Sequence, residues 1–158
     1  MAKKSKPYDE RSDLQRIQSQ WNKLSGLHSR EEWSSAIVRA ATAAELAANF
    51  AVRREFETRS QLDRETVDSF LIWANGLSGK LDRLLGPLAR NQPLHAKIKE
   101  LKKAAQLINT QRNAIVHSGE FRNKSKAVEI IEKSRTFIET LVGMYETDFK
   151  LKDKAKKA

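Results

Sequence analysis

The chain has 158 residues, with 30 Lys or Arg against 20 Asp or Glu, a formal net charge of +10 and no cysteine. One domain of ordinary size is expected, and disulfides, thiolate zinc sites, iron–sulfur clusters and a cysteine nucleophile are excluded together. No apolar run approaches the roughly 18 residues that cross a bilayer, and His28, His95 and His117 are too few for a histidine-rich metal site.

Helical periodicity recurs five times, and alternating strand patterns are absent. In the first segment, over 9–24, Leu14, Ile17, Trp21 and Leu24 form one apolar stripe that Gly26 ends. The second starts at Ser29, with Glu32 three residues on as a capping-box signature, and runs through Trp33, Ile37, Val38 and an alanine-rich stretch to Phe56. Asp63 caps the third, over 63–77, which carries Val67, Phe70, Leu71, Trp73 and Ala74. Gly76 and Gly79 interrupt it, and a short helix over 80–85 leads to Gly86-Pro87. The fourth begins after Pro93 and reaches His117, with Gly119 as its C-cap glycine. The fifth, over 125–149, turns Val128, Ile131, Phe137, Ile138, Leu141, Val142 and Tyr145 inward. The pattern predicts an all-α, four-to-five-helix up-and-down bundle over 9–149, between a disordered basic arm (1–8) and a disordered basic tail (150–158).

Most of the charge sits on those tails. Lys3, Lys4 and Lys6 give the arm +3, and five lysines against Asp153 give the tail +4. Such tails either attract a polyanion without reading it or merely aid solubility. The basic opening has no apolar segment behind it, which predicts no secretory signal, no membrane partner and a cytoplasmic location.

One helix breaks its own pattern. At about 100° per residue, Ile98, Leu101, Ala105, Ile108, Arg112 and Val116 share a stripe, so Arg112 takes a place meant for an apolar residue. A buried guanidinium needs an anionic partner, either a protein carboxylate or a ligand phosphate. Asn113 and His117 are four apart and share a face, and Arg112 is long enough to converge with them. A permanent cation that fixes phosphate, beside an imidazole that moves protons, suits metal-free transesterification of RNA. The same spacing also fits an Arg112 paired to a neighbouring helix and a His117 that only ends its own.

The stretch Arg112-Asn113-Ala114-Ile115-Val116-His117 reads R-N-x-x-x-H and resembles the ribonuclease motif of the HEPN superfamily (higher eukaryotes and prokaryotes nucleotide-binding domain). The helix order, the apolar run-up 104–109, the glycine after the histidine and the short helix near Gly79 agree with it, so the resemblance extends over about 10–149. It implies a HEPN-like bundle and a metal-independent, cofactor-free endoribonuclease. Such a protein is often a toxin or defence effector, works as a homodimer and answers to an antitoxin or another regulatory protein. By position, Arg112 and His117 would be catalytic, Asn113 would orient them, and Ser118 would support them. Some families add an acidic residue from an earlier helix. Glu45 is the candidate here, and it reads equally as the ion-pair partner of an arginine, Arg112 included. Some HEPN toxins carry a Tyr two residues after the His, where an antitoxin modifies them; Gly119 holds that place here.

Lys97, Lys99, Lys102 and Lys103 line the outer face of the motif helix, either as a solvated face or as an RNA-tracking strip. His28 reads as a solvated loop residue, His95 as surface, and Trp21, Trp33 and Trp73 as core or interface. Besides the nuclease, two readings stand. One is a non-catalytic HEPN-like dimer that binds nucleotide, RNA or a partner protein. The other is a helical bundle whose basic tails alone dock on nucleic acid.

Overall fold

The fold is that of a computed structural model, described for residues 6–153. Among these residues there is no strand, and no helix is long and apolar enough to cross a membrane. A single 3-10 turn, Tyr8–Glu10, precedes α1 (Asp13–Ser29). Ser12 caps α1 in a reciprocal box: its Oγ accepts from the Gln15 N–H, and Gln15 Oε1 accepts from the Ser12 N–H. The Ser29–Glu32 spacing is not a capping box. Ser29 is the last residue of α1, its hydroxyl donates to the Ser25 carbonyl, and α2 (Trp33–Arg59) opens from Glu32. His28 accordingly lies inside α1, with its ring edge on Trp33 at 5.0 Å, and is not a loop residue.

The central helix is α2, about 40 Å long at 1.5 Å per residue. Ala36, Ala40, Ala43, Ala44, Ala47, Ala48 and Ala51 are fully buried on it, because small side chains let the neighbouring helices approach closely. α1 returns antiparallel to it, with Arg39 bonded to Gln20 at 3.0 Å and Arg53 to Asp13 at 2.7 Å. α6 (Leu94–Ser118) runs against α2, and α7 (Lys124–Gly143) runs along it. Lys124 lies over Trp33 at the start of α2, and Tyr145, just past α7, donates to Glu55 near its end at 2.8 Å. Burial and this bond to Glu55 push the Tyr145 phenol well above its ordinary range. The four long helices thus alternate up and down around the alanine face, as the periodicity predicts.

Residues 60–93 bridge α2 and α6. They hold α3 (Arg64–Trp73), a short α4 (Gly76–Gly79), a π-helical turn (Lys80–Leu85) and α5 (Gly86–Leu88). Asp63 caps α3 by accepting from the Thr66 N–H at 2.7 Å. The Gly86 N–H closes the wide turn on the Leu81 carbonyl, and a Cβ at Gly86 would lie 3.0 Å from that oxygen and 3.5 Å from Lys102 Nζ. A side chain there would crowd the carbonyl that closes the π turn.

Two inward assignments fail, those of Val128 and Val116, and of the core and interface readings of Trp73 the core one falls. Trp73 is 61% exposed, with the Arg83 guanidinium over its ring, and Val128 and Val116 are each more than two-fifths exposed. α3 buries only Val67 and Leu71, Phe70 stacks on Phe56 of α2 at 5.6 Å, and Ile72 and Trp73 face out. Order also reaches past the expected boundaries. The Tyr8 hydroxyl accepts from Gln20, Leu151 is buried, and Lys152 exchanges two hydrogen bonds with Gln18. Of the expected disordered arm and tail, Tyr8, Leu151 and Lys152 are thus tied to the bundle. Residues 1–5 of the arm and 154–158 of the tail lie outside the described residues.

Candidate active site

The stripe that carries Arg112 explains its own anomaly. Ile98, Leu101, Ala105 and Ile108 are buried, residues 111–115 are half-buried, and 116–118 are exposed. Cover thins along the last two turns of α6, where Ile115 still packs against the core, so Arg112 sits at the core's rim and not within it.

There it gathers the other motif residues. Arg112 Nη1 donates to Asn113 Oδ1 at 3.1 Å and lies 3.3 Å from His117 Nε2. One Nη carries two protons and can serve both. A guanidinium only donates, so its contact with His117 is a hydrogen bond when Nε2 carries no proton. Among the described residues no carboxylate lies within 4.0 Å of the Arg112 guanidinium, and its polar neighbours are the motif's own Asn and His. The guanidinium therefore presents a cation at an open helix end.

Gly119 stops the helix there with φ +65 and ψ 22, a left-handed conformation that suits glycine. Its N–H and that of Glu120 both return to the Ala114 carbonyl. Ser118 is exposed as the last residue of α6.

Glu45 does not join the cluster. Its Oε1 accepts from Lys80 Nζ at 2.8 Å, and Lys80 is 4% exposed at the start of the π turn. A buried ammonium has the stronger need for that carboxylate. Lys80 itself is absent from the expected residues, although its signal is legible: it falls between Leu77 and Leu84 on a buried stripe. The lysine strip also divides. Lys99 and Lys103 are exposed one turn apart, whereas Lys102 turns to Asp82 at 3.1 Å and packs by Gly86. Lys97 lies instead over a groove between α6 and α7 with Thr136 and Thr140. His95 is half-buried, with its Nδ1 enclosed, and is not plain surface.

Arg122 is a residue that periodicity could not flag. Its N–H donates to Ser34 Oγ at 2.9 Å, its Nε to Gln111 Oε1 at 2.7 Å, and its Nη1 to the Phe121 carbonyl at 3.1 Å. It ties the loop after the motif to both α2 and α6.

Compared with known proteins, the chain matches no family model, no curated protein and no solved structure.

Proposed function

We propose that the protein is a metal-independent endoribonuclease of HEPN type, acting as a homodimer, and that Arg112 and His117 carry the reaction. The supporting observation is the Arg112 guanidinium, 3.3 Å from His117 and held by Asn113, with no carboxylate within 4.0 Å among the described residues. A guanidinium that spends no charge on a carboxylate keeps it for an anionic ligand such as a phosphate.

In the reaction, the 2′-oxygen attacks the adjacent phosphorus and the bond from phosphorus to the 5′-oxygen breaks. The products are a 2′,3′-cyclic phosphate and a 5′-hydroxyl. Arg112 turns its fork onto the non-bridging oxygens as charge builds there. His117, released from Arg112, takes the 2′-hydroxyl proton or protonates the leaving oxygen. Both roles are filled at once when two copies bring their motifs together, and the open position of the motif leaves room for a second copy. A role as a toxin or defence effector controlled by an antitoxin belongs to the same reading.

The open position also favours a second reading, a HEPN-like dimer that binds nucleotide, RNA or a partner protein without cutting. Labelled RNA incubated in EDTA with wild type, His117→Ala and Arg112→Ala separates the two. Cleavage by wild type alone, leaving cyclic phosphate ends, is expected. Folded proteins that all bind RNA and never cut it support the second reading.

A further inference from the structure

The loop that follows the motif has an unusual combination of order and exposure. Phe121, four residues beyond His117, is 92% exposed. Its surroundings are nonetheless pinned. Gly119 fixes the turn before it, and Arg122 holds its carbonyl while bonding Ser34 on α2 and Gln111 on α6. Three residues on, the Lys124 ammonium lies 6.0 Å over the Trp33 ring, which places a cation beside that loop. An aromatic ring costs free energy when left in water, and the backbone that presents this one is pinned.

We infer that Phe121 and Lys124 form a binding platform for single-stranded RNA beside the motif, with a base stacked on Phe121 and a phosphate on Lys124. This rests on the ribonuclease reading for its placement. The ring is flanked in sequence by Glu120, Arg122, Asn123 and Lys124, a charged and polar setting that suits a nucleic-acid strand better than a dry apolar interface. Stacking needs only one ring face, and an alternation of aromatic and cation is how single strands are held without regard to sequence. A duplex keeps its bases stacked on each other and offers none to Phe121. The single strand is also the form whose backbone can turn its 2′-oxygen in line with the leaving oxygen.

The test measures binding of a fluorescein-labelled oligouridine by anisotropy, across a salt series, in full-length His117→Ala protein so that the RNA stays whole. Adding Phe121→Ala should weaken binding about 5- to 150-fold, the effect of losing one stacked base, with an unchanged salt slope. Adding Phe121→Trp should restore it. Adding Lys124→Ala should instead reduce the slope by about 0.7, one phosphate contact on a single strand. Ile72→Ala, which removes another exposed apolar side chain far along the sequence, should change neither. Wild-type affinity in the Phe121→Ala protein overturns the platform, as does an equal loss on duplex RNA. A change of oligomeric state without a change in RNA affinity also overturns it, in favour of a protein interface. The two readings fail separately. RNA cleavage with Phe121-independent binding leaves the nuclease and removes the platform. Phe121-dependent binding by a wild type that never cuts supports the platform and removes only the nuclease.

Discussion

Lys80 Nζ lies 2.8 Å from Glu45 Oε1, and this pair joins the π turn to the middle of α2. The lysine side chain is 5% exposed and the glutamate 36%, so the two ends of the bond have different access to water. Glu45→Gln removes the charge that the buried ammonium depends on. It should cost about 1–3 kcal/mol, below the full penalty of a broken buried pair because water reaches the glutamate side. Lys80→Met fills the same space without a charge and leaves Glu45 facing solvent, so it should cost less than Glu45→Gln. Urea denaturation of the two variants reads that order. If the protein cleaves RNA as proposed, cleavage per folded molecule should match wild type in Glu45→Gln, and a large loss there would return Glu45 to the proposed site.

Arg112 should separate activity from stability. Its side chain touches Asn113 and His117 at the rim of the core, so Arg112→Lys should shift stability by no more than about 0.5 kcal/mol. The ammonium keeps the charge and loses the planar fork that grips a phosphate in two places. Cleavage should fall about 10²- to 10³-fold, as when one preorganised donor to the transition state is lost. Thermal melts beside initial rates on the same RNA provide both readings. A melt that drops by many degrees would make Arg112 structural.

The bundle was legible in the sequence because burial repeats with the helical period. The alanine face of α2 and the stripes of α1, α6 and α7 each bury one side, and periodicity reads that directly. The motif's convergence was legible for the same reason, since Arg112, Asn113 and His117 lie on one helix. Periodicity gives a direction around a helix and not a depth along it. That is why Val116 reads as inward although the core covers α6 only thinly there, with Ile115 packed and Val116 exposed. Partners between elements were not legible. Glu45 finds Lys80, and Arg122 finds Gln111 and Ser34, through the path of residues 60–93 and the loop after Gly119, neither of which has a repeating pattern.

Two lysines of the former strip should act on RNA and the third on the fold. Lys99 and Lys103 are exposed one turn apart, so each can meet a backbone phosphate. Reversing both to Glu should weaken RNA binding and reduce the salt slope by about 1.4, two contacts at 0.7 each. Lys102→Ala loses a half-exposed pair with Asp82 and should cost at most about 1 kcal/mol of stability. The slope should stay where it is. An unchanged slope in the double reversal would make Lys99 and Lys103 a solvated face.

The last described turn of the chain should respond to acid. Asp153 Oδ1 accepts from Arg135 and, at 3.2 Å, from the Trp21 indole. The Arg135 hydrogen bond is the main reason its carboxyl is held below the ordinary value of 3.8, with the Trp21 bond adding to it. A carboxyl depressed in the folded state stabilises the docked segment above its unfolded pKa, and the effect disappears as pH falls through the folded value. The contact is therefore complete at neutral pH and releases below about pH 4. Its side chain is 66% exposed, so the contribution is small, under about 1 kcal/mol. Hydrogen exchange at the Lys152 amide, which donates to Gln18 beside this contact, is the sensitive probe. Corrected for the intrinsic rate, its protection should fall in wild type as pH drops below about 4. Asp153→Asn, which keeps the shape and cannot titrate, should show weaker protection at pH 6 and no such step. A step of equal size in that variant would assign the acid response to another carboxylate, with Glu139 the nearest alternative through its bond from the Leu151 N–H.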